Sequence, residues 1–492
     1  FFLVLGLGLF SFPPRTSMTE GKEDTLISIP FWVSHEKRPI YSVHIHPDGT
    51  KFASGGGDSN IKIWSLATVQ SKDAEDDPEI HPLLCVISSA PNAVNCVRFS
   101  RCGTYLAAGL DGGTVMICKQ SDEDPSVAFD AEVTIFENWA VSSTLQNHNS
   151  DVQDVAWSPC NTMLASCSLD STVVIWSVNE MKVIKILRGH STWVKGVAWD
   201  PVGVYLASLS GDKLLIWKTE DWSLFHTIDK GFSNNTYGKL GVSNDNRQAT
   251  FCRLSWTPDG SCVGASGACA DKMWTSPVFG RKQWDLTVNY CGHRKPTTVT
   301  SFCPVIFKSH TEDKTFSMCA VGSMDKSVTV WHSGLSRPLL RLKSFFGQAI
   351  LDCSWSSDGT VLLIASHCGR VVLVKFSPQD LGGTRLSASE HQSRMQDVYG
   401  TILRASAHTV PEGPSALLLD RAVRSATPTA VPATASPLKR APAVPLPSGK
   451  AVLEQQKETR TKDGRRRIVP ITRPLVSAFN NTNVNSSSSS SS

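Results

Sequence analysis

The chain has 492 residues, 41% hydrophobic and 19% charged, a composition that describes a folded protein with a large core and excludes a wholly disordered one. Its formal charge of +4 is too small for wholesale nucleic-acid binding. That charge is also local, because residues 451–475 carry seven basic side chains against three acids and leave the remainder close to neutral.

The chain opens on an apolar run at 1–12, FFLVLGLGLFSF, with no preceding positive charge. A run of that length is too short to span a bilayer. Met18 is the expected start and 1–17 an upstream extension. Residues 29–33, extended and apolar, are a candidate for a strand that completes a later sheet.

From there a unit repeats. Residues 35–64 carry His35, an HPDG turn at 46–49, Asp58 and Trp64. Residues 94–118 open with VNCVRFSRCGTYLAAGLDG and end at Cys118, where a Trp would stand. The clearest pair follows: HNSDVQDVAWSPCNTMLASCSLDSTVVIW at 148–176 and HSTWVKGVAWDPVGVYLASLSGDKLLIW at 190–217. His148 precedes Asp170 by 22 positions, and His190 precedes Asp212 by the same 22. Trp176 and Trp217 close these units. A fifth unit opens with CRLSWTPDG at 252 and ends at Trp274. The sixth runs from His293 through Asp325 to Trp331, and the seventh from AILDCSWSSDG to Phe376, its Asp replaced around Gly369.

Seven units over 31–378 average about 50 residues, slightly above the roughly 40–45 typical of WD repeats. The surplus falls in polar loops near 68–82, 119–135, 228–250 and 307–315. Each unit reads as short strands separated by Asp-Gly or Pro turns. Such a sheet cannot bury both faces alone, so neighbouring units must stack radially into a ring. The expected fold is therefore all-β: a seven-bladed WD40 β-propeller at 31–378, after an N-terminal extension at 1–30. In WD-repeat proteins the histidine, aspartate and tryptophan form a buried network that holds the blade. That role is expected for His148, Asp170, Trp176, His190, Asp212, Trp217, Asp58, Trp64, His293, Asp325 and Trp331.

Chemistry-bearing motifs are missing. There is no nucleophile elbow, phosphate loop, dinucleotide fingerprint or H-E-x-x-H run. No histidine shows metal spacing with cysteine, so no enzyme activity, cofactor, metal or small-molecule substrate is expected. The fourteen cysteines lie between 85 and 368 without a C-x-x-C pair, many inside apolar runs, which favours a reducing compartment. The five acids within 73–79 read as a solvated loop.

Beyond 379 the repeats stop. Residues 379–452, rich in Ala, Pro, Ser and Thr at 403–450, cannot offset their ordering entropy by burial and read as a disordered linker. Within the tail, 453–475 differs: LEQQKETRTKDGRRRIVPITRPL places Asp463 and Gly464 as a hairpin turn between 458–462 and 465–469. A partner offering a sheet edge, an apolar pocket and acidic groups would stabilise such a hairpin by β-augmentation. The run Arg465, Arg466, Arg467 also fits a nuclear localisation signal or a phosphate-binding patch, and composition alone ranks localisation first. Residues 476–492 end in a serine run and read as disordered.

HPDGTKFASGG, VNCVRFS, SCSLDSTVVIW, LRGHSTWVKGVAWDPVG, CRLSWTPDG and AVGSMDKSVTVW, joined to ETRTKDGRRRIVPI, resemble the N-terminal half of the HIRA (histone regulator A) family of histone chaperones. The likeness covers about 31–378 and 453–471, and the second segment resembles that family's B domain. The resemblance implies a nuclear, non-enzymatic scaffold for replication-independent nucleosome assembly and transcriptional regulation. Its hairpin would dock the anti-silencing-function histone chaperone. Arg467 would pair with an acid of that partner, Ile468 would fill a pocket, Ile471 would add an apolar contact, and Arg465 and Arg466 would support with charge. It further implies a ubinuclein-type subunit on the propeller, core histones reached indirectly, chromatin as the setting, and no membrane. The family's C-terminal domain is absent from this sequence, and 1–17 matches nothing expected of the family. The rival readings are the propeller subunit of the replication-coupled chromatin assembly factor and a ubiquitin-ligase substrate adaptor.

Overall fold

The computed structural model describes residues 25–400, apart from 78, 89, 122–135, 230–231, 233–248, 271–272 and 311–313, together with 2–5, 457–460 and 466–469. Seven antiparallel sheets follow one another around a ring. Blade 3 shows the plan with strands Val152–Trp157, Met163–Ser168, Thr172–Ser177 and Lys182–Arg188 in chain order. The three inner strands are buried almost throughout, and they read as near-continuous apolar runs in the sequence. The outermost, KVIKILR, alternates and is largely exposed.

Burial is organised between blades. Ala165, Cys167, Val173 and Ile175 of blade 3 pack against Val194, Val197, Trp199 and Leu206 of blade 4, and similar wedges separate other neighbours. Tryptophans at the ends of innermost strands add polar stitches. Trp157 Nε1 donates to the Arg98 carbonyl at 2.8 Å, Trp199 to Ala156 at 3.0 Å, and Trp355 to Ser301 at 3.0 Å. Each stitch joins a blade to the one before it.

The ring closes with a strand from ahead of blade 1. Thr25–Ser28 pairs antiparallel with Val371–Lys375 of blade 7, Leu26 opposite Lys375 and Ile27 opposite Val374, and Phe2–Leu5 pairs on its outer side. Residues 29–33 do not supply this strand. Pro30 has no N–H for a ladder, and Val33 N instead closes a turn onto the Pro30 carbonyl.

Two blade ends also depart from the linear reading. In blade 5 the position facing Val263, which Trp176 holds opposite Leu164 in blade 3, belongs to Phe279 and not to Trp274. In blade 7 the equivalent residue is Val374, opposite Leu362, while Phe376 stacks on Trp355.

The first part of the loop expected near 68–82 forms two short helices, Ala67–Gln70 and Lys72–Asp76. The expected linker start is likewise structured. Gly383–Arg385 pairs with the far end of Thr297–Ser309 in blade 6, and Ala388–Tyr399 is helical with a Ser387/Glu390 capping box. Tyr399 donates to Asp200 at 2.9 Å, Arg281 bonds the same carboxylate at 3.1 Å beneath the Tyr399 ring, and Arg394 pairs with Asp259 at 2.9 Å. Gly260 permits this approach, since a Cβ there would lie 1.9 Å from the Tyr399 hydroxyl. Only Met395 and Tyr399 of this helix are buried, so its sequence carries little apolar periodicity. None of the helices among the described residues is long and apolar enough to cross a membrane.

The second compact unit, Pro428–Ser492, contains one described feature, a hairpin of Lys457–Arg460 and Arg466–Val469.

Candidate functional site

Three constellations concentrate the polar chemistry. The first is the repeated blade network. In blade 3, His148 Nδ1 lies 3.0 Å from Asp170 Oδ2, its Nε2 lies 2.8 Å from Ser166 Oγ, and Trp176 Nε1 donates to that same oxygen at 2.8 Å. Blade 1 repeats it with His35, Asp58 at 2.6 Å, Ser54 at 2.7 Å and Trp64. Blade 6 does so with His293, Asp325 at 3.2 Å, Thr329 at 3.0 Å and Trp331. Burial lowers the His35 pKa, which favours a neutral imidazole that donates through Nδ1 and accepts the hydroxyl proton on Nε2.

Blade 4 corrects one expectation. His190 does not touch Asp212; its Nδ1 meets Ser210 Oγ at 2.9 Å, and Ser210 in turn donates to Asp212 at 2.6 Å. The turn before Trp217 is one residue shorter there, since Trp217 stands 9 positions from its serine and Trp176 stands 10. Burial and the nearby Lys213 push the His190 pKa down to about 3.

The order Ser–His–Asp is that of a hydrolytic triad, yet Ser166 is fully buried and its oxygen already accepts an indole N–H. A nucleophile needs access to its substrate, which a fully buried Ser166 lacks, and the geometry fits a structural brace. The serines are the members that the repeat reading overlooked, although F-A-S at 52–54 and L-A-S at 164–166 and 206–208 displayed them.

The brace carries a pH signature. Burial raises the Asp58 pKa, but the hydrogen bonds from His35 and Asn60 outweigh it and hold the carboxyl at about 2. Asp170 and Asp325 are depressed in the same direction. A carboxyl depressed on folding contributes stability above its unfolded pKa of about 4, and that contribution is lost as pH falls through the folded value. Thermal melts are therefore expected to weaken steadily from pH 4 towards pH 2. Asp170→Asn should cost about 1–3 kcal/mol at pH 7 and flatten part of that acid slope. An unchanged melting point at pH 7 would deny the brace its role.

The second constellation crosses the central channel. Arg253 Nη1 bonds Asp154 at 2.6 Å, its Nη2 donates to the Asn95 carbonyl at 2.8 Å, and its Nε donates to the Leu351 carbonyl at 3.2 Å. Arg98 bonds Asp352 at 2.8 Å and lies 3.3 Å from Asp154. Ser42 donates to Asp352 at 2.6 Å. Two cations and two anions from blades 2, 3, 5 and 7 thus cancel, with Arg253 and Asp352 side chains only 2% and 1% exposed. The four charged side chains, with His44, Phe99 and Trp199, help line a cavity of about 340 Å³. Burial and Arg98 push the His44 pKa down to about 3. The signal in the sequence was a lone charge inside each apolar inner strand, as in VNCVRF, VQDVAW and ILDCSW.

The third is the tail hairpin. Its register sets Lys457 opposite Val469, Glu458 opposite Ile468, Thr459 opposite Arg467 and Arg460 opposite Arg466. The strands overlap the 458–462 and 465–469 expected, of which residues 461, 462 and 465 lie outside the described residues. Arg466, Arg467 and Ile468 therefore share one strand. Arg465 and Ile471, like Asp463 and Gly464, lie outside the described residues.

Both regions match known families. The CAF1B/HIR1 beta-propeller domain matches residues 26–381, and the HIRA B motif matches 455–471, the stretch that holds the hairpin. The chain is 39% identical over 472 residues to Protein HIRA of Homo sapiens, an alignment covering 90% of this chain and 45% of that protein. Protein HIR1 of Cryptococcus neoformans is 36% identical over 406 residues, covering 79% and 45%. Protein HIRA of Dictyostelium discoideum is 38% identical over 376 residues, covering 75% and 32%. The chain thus spans less than half the length of these relatives.

Proposed function

This chain belongs to the HIRA family, and from that premise we propose that it is a scaffold subunit of a histone chaperone that docks its partners without transforming a substrate. The observation that carries the proposal is the coincidence of the HIRA B motif with a strand pair in register, Lys457–Arg460 with Arg466–Val469. A hairpin of four-residue strands has little stability alone. Its use is to lend a strand and its charges to another sheet edge. The partner in this reading is the anti-silencing-function histone chaperone, with Arg467 paired to an acid, Ile468 in an apolar pocket and Ile471 beside it. Arg465 and Arg466 add charge that speeds encounter.

The propeller, in the same reading, holds a ubinuclein-type subunit. The whole supports replication-independent nucleosome assembly in the nucleus, with histones carried by the docked chaperone. The alternative, a propeller subunit of the replication-coupled assembly factor, shares the propeller family; the HIRA B motif at 455–471 favours the first reading.

Calorimetric titration of a 450–475 peptide into the anti-silencing chaperone tests this. Saturable one-to-one binding that weakens with salt is expected. Absence of heat at micromolar concentrations, together with no retention of the full chain on the immobilised chaperone, would remove the docking role.

A further inference from the structure

In an antiparallel four-stranded blade, the connection into the first strand and the one between the second and third strands open at the same end. In the ring these connections gather on one face of the propeller, above the His–Asp braces. Over blades 6, 7 and 1 that face is basic. Blade 6 contributes Arg294 and Lys295 ahead of its first strand and Lys326 between its second and third, and Lys343 follows on the way to blade 7. Blade 7 adds Arg370, and the approach to blade 1 adds Lys37 and Arg38. All seven residues are exposed.

Contacts between the connections join these cations into one arc. Ser323 Oγ donates to the Lys295 carbonyl at 3.0 Å, Arg341 Nη2 to the Gly292 carbonyl at 3.3 Å, and Arg370 Nη1 reaches the Phe345 carbonyl at 3.5 Å. Gly369 lies against blade 1, since a Cβ there would stand 2.7 Å from the Arg38 carbonyl. Three acids share the same connections, and two are engaged: Asp325 by His293, Arg294 N and Ser327, and Asp58 by His35 and Lys62. Glu36 is the third. Among the described residues none of the seven cations forms an ion pair. The far side of the face has the opposite sign. The connections of blades 2 and 3 at 88–93, 111–113, 147–151 and 169–171 hold Asp111, Asp151 and Asp170 and no lysine or arginine. Gly112 N donates to Asp151 at 2.9 Å, which sets that carboxylate beside Asp111.

We propose that the basic arc over blades 6, 7 and 1 is a docking surface for the phosphate backbone of duplex DNA. The surface goes beyond the hairpin's docking role and does not depend on it. Phosphates ask for exposed charge and need no apolar pocket. An acidic protein segment would also need aromatic or aliphatic anchors. Of the large exposed apolar side chains only Phe31 lies in these connections, whereas Trp193, Leu224, Phe225, Met273 and Leu286 belong to blades 4 and 5. The carboxylates over blades 2 and 3 repel the same backbone, so the duplex crosses the rim of the face and not its middle. Such contacts position DNA without reading its sequence. They also agree with the small net charge of the chain, because the cations are gathered and not numerous.

The test is fluorescence anisotropy of a labelled duplex of about 20 base pairs, titrated with the full chain. That chain carries Arg465→Gln, Arg466→Gln and Arg467→Gln, so that tail charge cannot answer for the propeller. Lys37→Gln, Lys295→Gln, Lys326→Gln and Lys343→Gln are then added to it. These four side chains donate to no protein group among the described residues, so the fold does not rest on them. Binding at about 100 mM salt should weaken at least tenfold. The slope of log K against log salt should become shallower by about 3–4, since each lost phosphate contact removes about 0.9. No DNA binding before the lysines are changed, or an affinity within twofold and an unchanged slope afterwards, would overturn the proposal. Tighter binding of polyglutamate than of DNA at equal charge would also overturn it and reassign the arc to an acidic polypeptide.

Discussion

Arg253→Met is expected to cost about 3–5 kcal/mol, a large part of the 5–15 kcal/mol that holds a typical domain together. The side chain is 2% exposed and spends its donors on Asp154 and on the Asn95, Tyr41 and Leu351 carbonyls. Methionine fills much of the volume and satisfies none of these acceptors. Asp154 would then keep only Arg98, at 3.3 Å, as a cationic partner. Burial already pushes the Asp154 pKa up against the pull of both guanidiniums, and losing the nearer one pushes it further. A carboxyl raised on folding prefers its proton, so the penalty should shrink as pH falls from 7 to 5. Urea melts at both pH values, with Asp154→Asn and the double variant beside the single, measure this as a coupling energy. The double variant should recover part of the loss, because two neutral groups replace an unpaired charge. A single-variant cost below 1 kcal/mol would mean that the channel cluster is replaceable packing.

Ile468→Asp is expected to abolish docking of the anti-silencing chaperone, a loss of at least a hundredfold, or about 2.7 kcal/mol. In the proposed complex the position meets an apolar pocket, and a carboxylate brought there without a partner pays its full desolvation. The partner's acids would repel it as well. Arg467→Ala should lose less, roughly tenfold, and should flatten the salt dependence. Titrating both variants of the 450–475 peptide separates the two terms. Binding by Ile468→Asp within threefold of the parent sequence would show that the strand binds by charge alone.

The seven-fold repeat was legible because most blades restate one pattern: apolar inner strands, a Pro or Asp turn, and a terminal aromatic, the last replaced by Cys118 in blade 2 and Val374 in blade 7. Reading failed where an insertion moved the aromatic. In blade 5 the inserted strand Ala268–Ala270 shifts the Trp176-like position to Phe279, and Trp274 only mimics the expected spacing. The closing strand was placed a few residues late, because 29–33 is more apolar than Thr25–Ser28 yet contains a proline. The helix Ala388–Tyr399 escaped notice since it is fixed by Arg394, Tyr399 and one methionine, and polar anchors leave no periodic trace. The channel cluster was visible only as isolated charges. No local pattern says that Arg253 and Asp154, 99 positions apart, will meet. In the tail, composition alone pointed to a localisation signal, and the hairpin followed from the Asp-Gly turn and the family likeness.

The strand that shuts the ring sets a timetable for the ribosome. Leu26 is made first and Lys375, its partner, comes 349 positions later. At roughly 5–20 residues per second, the first strand waits about 17–70 s for its mate. Throughout that interval Thr25–Ser28 offers an unpaired edge, and the blades assembled meanwhile form an open arc with an apolar face at each end. Such an edge and such faces are open to aggregation while synthesis lasts, and slowing translation would lengthen the exposure in direct proportion.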